Sequence, residues 1–487
     1  MENKAQSEVR ETSSFKDPDA LVFYKDSEVY RKISKKYAET YKKFMNSGLY
    51  EKLVSLGLIV RHDEISGMAF GADGAQSLCG ADEIVIKPEK VFITYPYEWC
   101  FSELKDAALA TLQIQKTALE YGMTLKDATP FNIQFLKGSP VLIDTSSFEE
   151  FKEKPWAAYR QFCENFLCPL VLIAYTDLRL SALLLGNING VPLDLASKLL
   201  PLKTKFNPNL LAHIHIHSKM QSKYAENKVK TGNAKISKEA LLNIIDNLYD
   251  TVLSINLSKY KTEWDEYYSN TNYTDESFEI KKEILAEFRE KLRPKTVFDF
   301  GANTGVFSRI FSDESCKKAS GAESEVLADE PYAGADVMAF DIDPLAVEKN
   351  YLEMKTRGEK NILPLVFDIV NPTPALGFNN EERKTLKERM ENIDLVLALA
   401  LMHHLRITYN VPFSYQAKFF AQFSKHLIIE FVDKEDSKVQ TMLLNREDVF
   451  DDYTKENFEA EFKEFYKILE TRPIKGTKRT VYLMEKA

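Results

Sequence analysis

Residues 297–305 read Val-Phe-Asp-Phe-Gly-Ala-Asn-Thr-Gly, and no other stretch constrains the fold of this chain as strongly. An apolar strand that stops at a glycine-rich turn lets the backbone press against a ligand, because Gly301 and Gly305 carry no Cβ to hold it off. Asp299 offers a carboxylate that a ligand's amine or hydroxyls can bond. One such turn fits any doubly wound domain, but its sequel narrows the choice. Residues 337–340 predict a second apolar strand that ends in Asp341-Ile342-Asp343, with Pro344 opening a helix. A third strand is predicted at 363–367, ending in Asp368, and a fourth at 393–401, which runs into Met402-His403-His404. Residues 426–430 predict a fifth, ending in Glu430, and 465–469 with 480–484 an antiparallel pair. Strands alternating with helical stretches predict an α/β domain with a parallel sheet covered on both faces, whose ligands sit at the carboxyl ends of the strands.

This order resembles the class I S-adenosylmethionine-dependent methyltransferases, in which a DxGxxxG turn and acids ending the second and third strands surround the cofactor. The resemblance spans roughly residues 256–487 and implies a doubly wound, Rossmann-like methyltransferase domain that binds S-adenosylmethionine. It implies that Asp299, Gly301, Ala302, Asn303 and Gly305 form the turn, with Gly301, Ala302 and Asn303 facing the methionine part. Asp341, next to Ile342, would take the ribose hydroxyls, Asp368 with Ile369 the adenine edge, and Leu399 a place beside them. A nicotinamide enzyme would ordinarily show GxGxxG, and the third glycine is missing here.

At 487 residues with 44% apolar composition, the chain can build two or three full-sized cores. No run approaches the roughly 20 apolar residues of a membrane span, and the opening residues are polar, so no membrane segment and a cytoplasmic location are expected. The five cysteines are odd in number and scattered, which suggests neither a disulfide framework nor a zinc knuckle. A net charge of −9 argues against holding nucleic acid through a broad basic surface, and the lysines from Lys219 to Lys235 read as a solvated helix face and loop. The acidic stretch 313–334 reads as a surface insertion.

The front half, residues 1–255, predicts a separate α+β domain, followed by a lead-in segment and helix over 256–290 and the methyltransferase domain over 291–487. Strands are expected at 83–87 and 90–95 and a helix at 101–121. Asp127, Asn132 and Asp144, the last after an apolar hairpin, resemble the base and two magnesium ligands of protein-kinase-like folds. Leu125 stands where those folds keep a histidine, Thr145 follows Asp144, and no glycine-rich phosphate loop precedes them; Lys87 is the candidate phosphate lysine. Taken with residues 95–99, 143–146 and 399–405, the whole chain is similar to the bacterial host-specific nodulation methyltransferase family, which implies methyl transfer without fixing the acceptor.

His403 and His404 stand where a neutral imidazole would take a proton from an attacking hydroxyl or amine, with His403 slightly preferred, and Glu430 is a second candidate for orienting a base or acceptor. His213, His215 and His217 invite a metal, but no glutamate or third ligand accompanies them, so packing roles and no metal are expected. Residues 371–374, Asn-Pro-Thr-Pro, follow the third strand and read as a proline-set loop. The expected activity is methylation of an oxygen or nitrogen on a small-molecule or glycan-like acceptor. The alternatives are a protein or RNA methyltransferase, or a kinase-like ATP-binding module with an appended methyltransferase-fold domain. The oligomeric state is left open.

Overall fold

A computed structural model describes residues 8–65, 83–220, 235–260, 275–313, 332–390, 392–444 and 447–487. The lead-in residues 264–274, the acidic stretch 314–331, Lys223 to Lys230, Cys79 and Cys316 lie outside the described residues. The chain forms two compact units: Met1–Lys261 with Ala375–Arg383, and Thr262–Pro374 with Lys384–Ala487.

The first unit carries strands β1 (Val9–Arg10), β2 (Ala20–Lys25), β3 (Glu28–Ile33), β4 (His62–Glu64) and β5 (Val85–Pro88) in one antiparallel sheet of order β1-β2-β3-β5-β4. Two small pairs follow, β6 (Met123–Leu125) with β9 (Phe148–Glu150) and the hairpin β7 (Ile133–Leu136) with β8 (Ser139–Leu142). Lys137 and Gly138 both take positive φ, 52° and 76°, as a tight two-residue hairpin requires. Residues 90–95 are not a strand, contrary to expectation: Pro96 follows, and the Thr94 N–H donates to Gln134 Oε1 at 2.7 Å instead of to a neighbouring strand. The helix Phe101–Glu120 starts at a capping box, with the Cys100 N–H donating to Glu103 Oε2 at 2.8 Å, and is tied to the helix Lys238–Ser254 by Lys116 and Asp246 at 2.7 Å.

The second unit is built on strands β10 (Thr296–Phe300), β11 (Asp336–Asp341), β12 (Ile362–Val366), β13 (Ile393–Ala398), β14 (Ser424–Val432), β15 (Tyr466–Ile474) and β16 (Arg479–Lys486). Their order is β12-β11-β10-β13-β14-β16-β15, with β10 to β14 parallel and β16 antiparallel to both neighbours. This is the doubly wound methyltransferase arrangement, including the closing antiparallel pair. The chain reverses its winding between β10 and β13, so the crevice for a ligand opens at their carboxyl ends.

Period-two alternation along β10 divides the core. Val297 joins Val337, Leu395, Leu397, Ile428 and Leu483 in one apolar layer with Ile284, Leu285 and Phe288 of the helix Asp275–Leu292. Phe298 and Phe300 point the other way into an aromatic layer: Phe300 stacks on Phe340 at 5.1 Å and meets Phe420 of the helix Phe413–Phe420 at 6.1 Å. Phe300 is 1% exposed, and its replacement by alanine leaves a cavity under the glycine turn. Phe300→Ala should therefore lower unfolding free energy in urea by about 3–5 kcal/mol; a loss below about 1 kcal/mol would mean the aromatic layer collapses around the gap.

Candidate active site

The turn after β10 folds back on β11, with the N–H groups of Gly301 and Ala302 both donating to the Phe340 carbonyl at 2.9 Å. Gly301, Asn303 and Gly305 sit at φ +79°, +53° and +77°, which explains two glycines and an asparagine at these positions. A Cβ on Gly305 would lie 2.4 Å from Asn350 Oδ1, so that glycine is demanded by packing. At Gly301 the nearest atom to an added Cβ is Leu401 Cδ1 at 3.5 Å, and Gly301 and Asn303 are both exposed. The corner is thus bare, and it meets the loop that leaves β13.

Asp341 ends β11 at the rim of this corner. Its Oδ2 accepts from Asn303 N–H at 2.8 Å and its Oδ1 from Asp343 N–H at 2.9 Å; burial pushes its carboxyl above the usual carboxylate range. Ile342 beside it is 53% exposed, a large apolar side chain on the open rim. Asp368 accepts from Val370 N–H at 2.9 Å, and Asp368 and Ile369 are half-buried at the end of β12. Ala302 and Leu399 are buried behind the turn. An exposed glycine after β10, a carboxylate fixed by backbone donors beside an exposed isoleucine after β11, and a half-buried acid after β12 thus stand on three adjacent strand ends.

Asp299 departs from the sequence expectation. It is 1% exposed, accepts from Ser308 Oγ at 2.6 Å, and burial lifts its carboxyl to about 6. It braces the turn against the following helix and offers no open acceptor to a ligand.

Glu430 likewise proves to be an anchor, because it is 0% exposed and its oxygens are committed. Oε2 meets Lys281 Nζ at 2.6 Å and accepts the Ala400 N–H at 3.0 Å, while Oε1 faces Arg479 at 3.5 Å. Arg479 continues to Asp436 at 2.8 Å. Lys281 is 1% exposed, and burial draws its pKa below the usual lysine value against the pull of Glu430. Ala400 holds a positive φ of 49°, rare for a residue with a Cβ, and its bond to Glu430 fixes it there.

The chain leaves this strained residue into the π-type turn His404–Thr408. His403 is buried and His404 exposed, their rings 4.3 Å apart. Burial, then His404 and Arg479, hold His403 down to about 3, and its Nδ1 is buried with no hydrogen-bond partner among the described residues. His404 is also lowered from 6.5, by desolvation first and then by Arg479 and Lys438. The accessible imidazole is therefore His404, which reverses the sequence preference. Beyond Arg479 lies a cavity of about 350 Å³ lined by Glu435, Asp436, Ser437, Gly476, Thr477, Lys478 and Arg479.

Over 402 residues the chain is 36% identical to nodulation protein NoeA of Rhizobium meliloti (strain 1021), covering 81% of this chain and 80% of that protein. The chain belongs to the NoeA family of nodulation proteins. No family model matches it. Among solved structures, the bifunctional kinase-methyltransferase WbdD shares 15% identity over 44% of this chain and 40% of its own, with a TM-score of 0.27. The N-terminal domain of EvdMO1, solved with SAH and D-fucose, shares 11% over 45% and 84%, at a TM-score of 0.27. The methyltransferase domain of bacterial CtHen1 shares 12% over 43% and 99%, at 0.29. These likenesses are too distant to bear on function.

In the front unit of this NoeA-family chain, the residues that resemble kinase ligands are bound to one another and to their surroundings. Asp144 is paired with Arg31 of β3 and accepts from Ser146 Oγ at 2.5 Å and Ser147 Oγ at 2.6 Å; despite burial, Arg31 and the serines pull its carboxyl below the usual range. Asp127 accepts from Gln161 Nε2 at 2.8 Å and Thr129 N–H at 3.1 Å, and Asn132 donates to Ser147 Oγ at 3.1 Å. Lys87 pairs instead with Glu28 at 3.1 Å. Arg31, which no motif flagged, is thus the cation that meets Asp144. His213 and His215 are likewise engaged, with Tyr159, Asn247, Ser197 and Thr204, and His217 stacks on Tyr159 at 5.0 Å.

Lys281→Met leaves buried Glu430 with Arg479 at 3.5 Å as its nearer remaining cation and should cost about 3–5 kcal/mol in chemical denaturation, whereas Lys281→Met with Glu430→Gln should cost clearly less than the two single losses added; strict additivity would show that the pair does not couple. His403, neutral in the fold down to about pH 3 but with an ordinary value of 6.5, removes stability as pH falls from 6.5 toward 3, because only the unfolded chain gains that proton. His403→Gln should accordingly show a flatter stability profile in that window than the parent chain, and parallel profiles would contradict the burial argument.

Proposed function

We propose that this protein is an S-adenosylmethionine-dependent methyltransferase acting on an oxygen or nitrogen of a small, polyhydroxylated, glycan-like acceptor. The observation that supports this reading is that the glycine corner at Gly301 lies beside Leu401 of the loop after β13, three residues before the exposed His404. Gly301, Ala302 and Asn303 would hold the methionine part, Asp341 with Ile342 the ribose, and Asp368 with Ile369 the adenine. When bound, S-adenosylmethionine supplies an electrophilic methyl on a sulfonium. The protein's share is to align the acceptor and take up its proton, and alignment alone can account for most of the acceleration of a direct displacement.

His404 would take that proton. Desolvation first, then Arg479 and Lys438, lower its pKa from 6.5, which favours the neutral imidazole that can accept a proton. The acceptor reading rests on the cavity at Asp436 and Arg479: its lining of carboxylates, hydroxyls, a lysine and an arginine offers both donors and acceptors, as a polyol needs, and Arg479 also acts on His404. The kinase-like alternative finds less support, since Arg31 occupies the charge of Asp144.

The test is transfer of tritium from methyl-labelled S-adenosylmethionine to a panel of saccharides and amino sugars. His404→Ala should lower kcat by about 10²- to 10⁴-fold with little change in cofactor affinity, and the acid limb of the parent profile should fall below pH 6.5. Transfer that survives His404→Ala unchanged, or that requires a protein or RNA acceptor, would overturn the assignment.

A further inference from the structure

Residues 195–220 contain Lys198, Lys203, Lys205 and Lys219 and not one Asp or Glu, in a chain whose net charge is −9. The same stretch brings large apolar side chains to the surface: Leu199 is 39% exposed, Leu202 71%, Phe206 86%, Ile216 44% and Met220 49%. Local structure explains why they stand out. The helix Leu193–Leu199, the 3₁₀ turn Leu202–Phe206 and the π-type turn Leu211–Ile216 are pinned together by His215, whose Nδ1 bonds Ser197 Oγ at 2.8 Å and whose Nε2 bonds Thr204 Oγ1 at 2.9 Å. Thr204 is 1% exposed, so the turn's one inward residue is locked and Leu202, Lys203, Lys205 and Phe206 are left facing water.

Two of the charges on this face, Lys205 and Lys219, are free of ion pairs among the described residues. Lys198 has a partner at its edge, Asp194 at 3.3 Å, and Lys203 lies 5.4 Å from the Tyr175 ring centre. Lys205 and Lys219 both act on the buried His215 to lower its pKa. An exposed leucine and phenylalanine four residues apart on one turn, with exposed Lys203 and Lys205 between them, combine the two attractions that hold proteins at a lipid interface. Nucleic acid would neutralise the lysines but leave Leu202 and Phe206 in water.

We propose that this face is a peripheral membrane-docking surface that takes an anionic phospholipid bilayer, with Leu202 and Phe206 entering the acyl boundary and Lys198, Lys203, Lys205 and Lys219 meeting the headgroup phosphates. No helix among the described residues is long and apolar enough to cross a membrane, so attachment here is interfacial and reversible. The proposal is independent of the methyl-transfer reading, since it uses none of the same residues.

Flotation of the full chain with vesicles tests it. Vesicles of phosphatidylcholine and phosphatidylglycerol in equal parts should carry the protein up the gradient, vesicles of phosphatidylcholine alone should not, and about 1 M salt should release it. Leu202→Ser with Phe206→Ser should cut partitioning at least about tenfold, and Lys203→Gln or Lys205→Gln about fivefold each. These side chains are exposed, so the melting midpoint, measured alongside, should not move. A Phe206→Trp variant should shift its emission to the blue only with the anionic vesicles. Absence of flotation with anionic vesicles, equal flotation of the Leu202→Ser/Phe206→Ser variant, or binding to single-stranded RNA that ignores that double variant would each overturn the proposal.

Discussion

A single buried carboxylate, Glu430, organises the rear unit. It ties the helix Asp275–Leu292 through Lys281, the end of β13 through the Ala400 N–H, and the start of β16 through Arg479. Burying two opposite charges costs several kcal/mol per ion, and close contact at 2.6 Å offsets much of it. What the arrangement secures is the conformation of Ala400: a backbone N–H held by a carboxylate lets a residue with a Cβ stay in the left-handed region. The loop therefore leaves β13 toward Leu401, His403 and His404 in one direction, against the glycine corner of β10.

The same geometry separates the two histidines. Tertiary packing sends His403 under the turn, where desolvation keeps it neutral, and leaves His404 outside. Their adjacency in sequence carries no information about which faces water, since neighbouring residues of any helical turn point about 100° apart and packing decides which one is covered. The charged chain from Lys281 to Asp436 then links the crevice to the polar cavity, so electrostatics there is set by residues distributed over 281, 430, 436 and 479.

Much of the rear unit was legible because its strands are apolar runs that end in acids or glycine, and parallel order follows from their alternation with helices. The turn at Gly301, the acids at 341 and 368 and the closing antiparallel pair all come from patterns of neighbouring residues. Asp299 and Glu430 were misread for the same reason: an acid at a strand end looks like a ligand group until its partners, Ser308 nine residues on and Lys281 far upstream, are seen. In the front unit the motif points to Lys87, which pairs with Glu28, whereas Arg31 on β3, flagged by no motif, meets Asp144 more than a hundred residues away in sequence. Residues 90–95 have the composition of a strand, yet Gln134 captures their backbone.

The proposed hold of the Gly301 corner and the Asp341 rim on S-adenosylmethionine is open to direct measurement. Calorimetric titration of the full chain with S-adenosylhomocysteine tests it without need of an acceptor. The parent should bind, and Asp341→Ala should lose about 1.5–3 kcal/mol of affinity with the removal of a charged hydrogen-bond acceptor, while Gly301→Val should abolish binding by filling the corner. Binding of equal strength by all three proteins, or none by a folded parent, would contradict the account.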